Sequence, residues 1–444
     1  MAELVPADIA WMLMATALVL VMTPALALFY GGLVRSKNVL STFMHSFFAL
    51  GLVTVQWVVL GYSLAFAPTQ GGIIGAFDYA FFQGVGLEPK GNIPHVLFAA
   101  FQMMFAIITP ALISGAFAER IKFSAYVLFS LLWTTCVYDP LAHWVWSPGG
   151  WLAKRGALDF AGGTVVHVAA GISALVIAVM VGRRSGYPHR KAPPHNLTMT
   201  LLGAGLLWFG WFGFNAGSAL GANSIAALAL VNTHIAAALG GVAWASVEWI
   251  RYGKPSALGV ASGLVAGLVA ITPAAGFVGP VDSLWIGMLA GVLCYAGVLL
   301  KHRLGYDDAL DAFGVHGIGG AAGAILTGVF ASTAWNPHGG DGLLHGGTSL
   351  FWEQILATAA TGCYAIVVTF AIVKFVDSVI GFRPLEYIEQ EGLDYALHGE
   401  EAYGDALDGQ RLPSEIAELE GQQELVRSAV TPPALGTGAQ RSTG

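Results

Sequence analysis

Two of the twelve histidines stand apart by their setting. Ala157-Leu158-Asp159-Phe160-Ala161-Gly162-Gly163-Thr164-Val165-Val166-His167 and Ala309-Leu310-Asp311-Ala312-Phe313-Gly314-Val315-His316 each read Ala-Leu-Asp, a stretch of small and aromatic residues, then His before a run rich in glycine and alanine. A polar side chain in such an apolar run is costly, and it usually lines a pathway or meets a partner. An imidazole, with a free pKa of about 6.5, suits a proton relay, although burial opposes its charging. His45, His95, His143 and His234 have no such counterpart and read as structural. Asp159 and Asp311 each stand at the start of a helix, where free N–H groups and the positive dipole end stabilise a carboxylate. They read first as caps.

Aromatic residues form the second constellation. Phe101 and Phe105 lie one turn apart and share a helix face; Trp211, Phe212 and Phe214 sit on another apolar run, and Trp144 and Trp146 near the end of a third. A path lined by Phe, Trp and neutral His, without a ring of carboxylates, rejects hydrated cations because nothing replaces their water shell. It passes something small and nearly neutral.

Such groups must be positioned by elements that live in lipid. Of 444 residues, 56% are hydrophobic and 11% charged, under half the usual share of about 25%. That excludes a soluble body, a coiled coil, a disordered chain and a disulfide scaffold. The formal charge of -7 is local: residues 382–444 hold 12 of the 27 acids and 4 of the 20 bases, so this end carries -8 and the rest +1. Cys136, Cys294 and Cys363 lie in apolar stretches and suggest neither a disulfide framework nor a thiolate zinc site. They read as small buried filler.

A bilayer core of about 30 Å takes roughly 20 apolar residues per helix. Runs of that length begin near Ile9, Ser41, Pro94, Phe123, Gly162, Asn196, Ser224, Ser256, Ser283, Asp311 and Thr348. This predicts an all-α polytopic membrane protein with eleven transmembrane helices. With the N-terminus outside and the C-terminus inside, seventeen of the twenty Lys and Arg fall on the cytoplasmic side, leaving only Lys90, Lys154 and Arg155 outside. The two histidine motifs are five spans apart and so run in opposite directions, which predicts inverted five-helix repeats with a site between them. The repeats cover about 9–184 and 195–334, and a last helix about 348–380 completes a membrane domain at 1–381. Residues 382–403 keep apolar anchors among charges and can dock on the inner face, whereas 404–444 read as a flexible tail.

The segments Phe29-Tyr30-Gly31-Gly32-Leu33-Val34-Arg35, Phe101-Gln102 with Phe105, Ala118-Glu119-Arg120, Asp159 to His167, Gly210 to Ser218 and Asp311 to His316 resemble the ammonium transporter family (Amt, Mep and Rh), on its bacterial or archaeal Amt side. So does Glu391-Gly392-Leu393-Asp394 with His398-Gly399-Glu400. The resemblance spans about 8–403. It implies a homotrimer in the cell (inner, cytoplasmic) membrane, each multi-pass subunit having its own pore. Phe101, Trp146 and Ser218 would form an outer site for ammonium or its analogue methylammonium, with Phe105 and Phe214 as a gate beneath it. His167 and His316 would be twin histidines sharing a hydrogen bond, with Trp211 in the wall and Asp159 supporting the outer site. The family also implies a PII-type regulatory partner on the cytoplasmic face. It implies no enzyme activity, cofactor, metal or nucleic acid. The rival readings are an ammonium sensor signalling through its tail, for which 404–444 is too short to add a signalling domain, and a metalloenzyme using the histidine pair, which lacks further ligands.

Overall fold

The computed structural model describes residues 3–189 and 193–403; the expected flexible tail at 404–444 lies outside them. Residues up to Glu400 form one compact unit, and the second, 401–444, has only 401–403 among the described residues. Eleven apolar helices build the first unit: α1 (Pro6–Leu33), α2 (Ser36–Phe66), α3 (His95–Phe117), α4 (Phe123–Arg155, interrupted over 147–150), α5 (Gly163–Val181), α6 (Leu197–Gly217), α7 (Ser224–Tyr252), α8 (Ala257–Ile271), α9 (Pro280–Leu304), α10 (Phe313–Phe330) and α11 (Ser349–Ile380). Ten of these are long and apolar enough to cross a membrane; α8, at 15 residues, is shorter. Pro273 explains the early stop, because its ring cannot continue a helix. The non-helical backbone that follows is satisfied from within the protein: Asn232 on α7 donates to the carbonyls of Ala275 (2.9 Å) and Val278 (2.8 Å), and Asn336 donates to Gly276 (3.0 Å).

Helix α1 packs along α6, and α5 packs against α10. Glycine makes the second contact possible. A Cβ on Gly171 of α5 would lie 2.0 Å from the backbone nitrogen of Gly317, and one on Gly320 of α10 would lie 2.8 Å from Cβ of His167. Both histidines also fall in short π-helical stretches, Gly163–Val168 and Phe313–Gly317. The wider turn is common at functional sites.

Each histidine helix is started by a buried carboxylate. Asp159 Oδ1 accepts from the N–H groups of Gly162 (2.8 Å) and Gly163 (2.6 Å), and Oδ2 from those of Thr164 (2.8 Å) and Val165 (3.2 Å) as well as from the Thr164 hydroxyl. The chain enters this cap through Gly162 at φ +114°, a conformation that favours glycine. On α10 the cap is Asp308, not Asp311 as the sequence suggested. Asp308 accepts from Ala312 (3.1 Å) and Phe313 (2.8 Å), while Asp311, at φ +62°, turns away from the cap to pair with Lys301 at 2.5 Å. The register is therefore Asp159 with Asp308, each eight residues before its histidine. Of the cysteines, only Cys294 is buried; Cys136 and Cys363 are exposed on the helix surface.

At the end of the bundle where the basic residues gather, Glu119 sits at φ +72° with its carboxylate buried. It accepts from Arg35 Nε (2.8 Å) and Asn38 Nδ2 (2.8 Å) and pairs with Arg184 (3.0 Å), which also clamps Asp307 (2.8 Å). Residues 382–400 join this network through two short helices, α12 (Glu386–Glu391) and α13 (Leu393–His398). Glu389 accepts from the Ser185 N–H (2.6 Å) and pairs with Arg383 (2.5 Å); Asp394 accepts from Leu40 (3.0 Å) and Ser41 (2.7 Å) near the start of α2. Burial alone would raise the Glu119 carboxyl, but Arg35 and Arg184 hold it below its usual value.

Replacing Asp159 or Asp308 by Ala is expected to cost about 1–2 kcal/mol each, and Asp311→Ala less, because Asp311 caps no helix and the buried Lys301 keeps the Asp308 carbonyl as a partner. Thermal unfolding in detergent checks the order. A carboxyl whose folded pKa lies below its unfolded value contributes stability above the unfolded value, about 4.3 for Glu, and loses it as pH falls through the folded one. The melting temperature of the wild-type protein is therefore expected to fall more steeply between pH 5 and 3 than that of Glu119→Gln.

Candidate functional site

Most of the sequence-selected residues line one of three cavities. The outer one, about 130 Å³, is walled by Phe66, Phe98, Gln102, Phe105, Trp146, Phe160, Ser218 and Leu220. The α5 cap positions it: Trp146 Nε1 donates to the backbone carbonyl of Asp159 at 3.0 Å. The aspartate thus holds the start of α5 with its carboxylate and the tryptophan with its carbonyl. Ser218 follows the last turn of α6 and donates to the Phe214 carbonyl at 2.8 Å, so its oxygen lone pairs can accept from a ligand. Gln102 Oε1 is buried without a protein partner and offers a second acceptor.

Phe101 does not line this cavity, contrary to the expectation for it. It is fully buried, with its ring edge-on to Phe105 at 5.0 Å. The missing side chain at Gly217 gives it room, because a Cβ there would meet the Phe101 ring at 2.8 Å. Phe101 therefore backs Phe105, whose own ring lines the cavity.

Next to the outer cavity the Phe105 and Phe214 rings lie against each other, with centroids 4.2 Å apart and planes tilted by 32°. Each ring is 1% exposed. The central cavity beneath is lined by Met22, Leu26, Ile108, Leu112, Val166, Trp211, Phe214, His167 and His316 among others, with no Asp, Glu, Lys or Arg. Its volume is about 20 Å³, room for one water-sized molecule, which takes about 10–15 Å³ by the same measure. Trp211 is fixed in the wall by a hydrogen bond from Nε1 to Thr272 at 3.0 Å. Its ring lies 5.5 Å from that of His167, with 20° between the planes.

His167 and His316 come together as expected, with centroids 5.3 Å apart and planes 14° apart. The hydrogen bond expected between them is not formed here: both ring nitrogens of His167 and Nδ1 of His316 are buried without a protein partner. His316 also faces an inner cavity of about 140 Å³ with Asp311, Ala312, Val315, Tyr30 and Ser262. Asp311 thus stands at the edge of this cavity, where Lys301 offsets its charge.

Several site residues escaped the sequence reading. Phe66, Phe98, Phe160 and Leu220 come from four separate segments, and only tertiary packing brings them together. Asp308 had a usable signal in its spacing of eight residues to His316.

Known proteins are similar to this chain over most of its length. The sequence model of the Ammonium Transporter Family matches residues 10–403. The ammonium transporter of Bacillus subtilis is 54% identical over 404 residues, covering 90% of this chain and 99% of that protein. Ammonium transporter Amt1 of Archaeoglobus fulgidus is 46% identical, with 89% and 99% covered. Among solved structures, Mep2 of Saccharomyces cerevisiae superposes with a TM-score of 0.81 at 36% identity, over 86% of this chain and 88% of that one. One described as a sensor Amt protein does so with 0.82 at 29%, over 88% and 98%. With its apolar helices and a match of this extent, the chain is a multi-pass membrane protein and belongs to the ammonium transporter family.

Proposed function

We propose that this protein imports ammonium by conducting ammonia. Ammonium sheds most of its water in the outer cavity against Phe105 and Trp146, donates to Ser218, and gives up its proton there to a remaining water. Ammonia then passes between Phe105 and Phe214, travels along the wall of Trp211, His167 and His316, and leaves through the inner cavity. The observation that carries this reading is the central cavity: sized for one small molecule, sealed by two phenyl rings, and lined by two imidazoles but by no charged side chain. A desolvated monovalent cation would face an idealised penalty of about 20 kcal/mol there, and each ring returns about 2 kcal/mol. The proton follows by way of the histidine pair, whose ring centroids lie 5.3 Å apart, so that net transport is of ammonium.

The same reading includes eleven spans, with α8 as the eighth, and inverted repeats at about 9–184 and 195–334. It places the N-terminus outside, in the cell (inner, cytoplasmic) membrane, and three subunits in a homotrimer. The contacts of α1 with α6 and of α5 with α10 support the repeats, since these are the first and last helices of each half. Docking of residues 382–400 on Ser185, Asn38 and the start of α2 supports a regulatory role for that stretch, with a PII-type protein as the partner. The likeness to a sensor Amt protein makes ammonium sensing the second reading, and measured flux separates the two.

Proteoliposomes containing the protein are expected to take up labelled methylammonium with saturation, and the His167→Ala, His316→Ala double variant is expected to lose that uptake. Wild-type binding without flux would favour the sensor, and uptake persisting in the double variant would remove the relay role.

A further inference from the structure

Lys90 lies on a small hairpin between α2 and α3, β1 (Pro89–Lys90) pairing with β2 (Ile93–Pro94). Its side chain points inward. Nζ donates to Tyr62 Oη at 3.0 Å and lies 3.4 Å from His95 Nε2, and Tyr62 Oη is itself 2.5 Å from that nitrogen. Four rings surround the ammonium group: Phe98 at 4.6 Å, Tyr62 at 5.4 Å, Tyr79 at 5.6 Å and Phe66 at 5.7 Å from their centroids. Among the described residues Lys90 forms no ion pair; the acidic residues of its loop, Asp78 and Glu88, are exposed. Aromatic faces with a nearby acceptor are the chemistry that captures a free ammonium ion. Here a tethered ammonium occupies them.

Phe66 and Phe98, edge-on at 5.2 Å, also wall the outer cavity. A ring that already faces one cation is a poorer partner for another, and the fixed charge opposes a second cation one ring away. We propose that Lys90 sets the cation affinity of the outer cavity, its charge in the shared aromatic wall weakening capture and so raising KM. This rests on the outer cavity being the capture site. The effect expected of one partly screened charge is about three- to tenfold in KM.

Burial pushes the Lys90 ammonium down to about 8. The titratable groups facing it are Tyr62 from α2, Tyr79 from the loop and His95 from α3. As pH rises through that value the charge leaves, capture strengthens, and KM for methylammonium falls.

The test is labelled methylammonium uptake into proteoliposomes, with KM and maximal rate measured between external pH 6 and 9 for wild type, Lys90→Met, Lys90→Arg and Trp146→Leu. Lys90→Met is expected to lower KM about three- to tenfold at pH 6.5 and to flatten its pH dependence. Lys90→Arg keeps the wild-type KM at pH 6.5 but loses the fall near pH 8, and Trp146→Leu raises KM. If Trp146→Leu raises KM while Lys90→Met leaves it at the wild-type value, the Lys90 proposal alone is overturned. A KM indifferent to Trp146→Leu overturns the capture site and this proposal with it. Should Lys90→Met fail to assemble, Lys90→Gln serves as the neutral variant, and a wild-type KM for it at pH 6.5 overturns the proposal.

Discussion

A unit charge that leaves water for an apolar passage loses most of its hydration energy, idealised at about 20 kcal/mol, and must recover it from whatever lines the way. The rings of Phe105 and Phe214, 4.2 Å apart, cannot return that amount. The proposed answer is chemical: the cation sheds its proton and crosses as a neutral molecule. Every other feature of the bundle has to keep charge out of the passage while supplying polar groups to orient the cargo and to receive the proton.

The arrangement of carboxylates follows this requirement. Asp159 and Asp308 are buried, and their oxygens are taken up by backbone N–H groups at the starts of α5 and α10. Their charge is used to begin the two histidine helices. Glu119 and Asp307 are likewise held by Arg35, Arg184 and Arg120 at the basic end of the bundle. Glycine does the complementary work on the apolar side, since Gly171, Gly317 and Gly320 let α5 and α10 touch backbone to backbone. Only that distance allows one imidazole from each helix to share a cavity of about 20 Å³.

Much of this was legible in the sequence, for physical reasons. Span-length apolar runs must be helices in lipid, and ten of the eleven proved long enough; α8 fell short because Pro273 ends it and Asn232 satisfies the backbone that follows. The repeated His motif brought His167 and His316 together. What pattern alone could not give was register and packing. Asp311 stood in the repeated triplet, but capping depends on distance to the first free N–H groups, and Asp308 is the residue at that distance. Phe101 shares a helix face with Phe105, yet the space beside Gly217 draws it behind its neighbour. The π-helical turns around both histidines left no trace in the residue types.

The most direct test is the current recorded on a solid-supported membrane carrying the protein after a jump in ammonium concentration, compared with an equal jump in potassium. Deprotonation at the outer cavity with the proton carried separately predicts an inward transient current for ammonium and none for potassium, which has no proton to give. A potassium current of similar size would show that bare cations pass between Phe105 and Phe214 and would contradict the account.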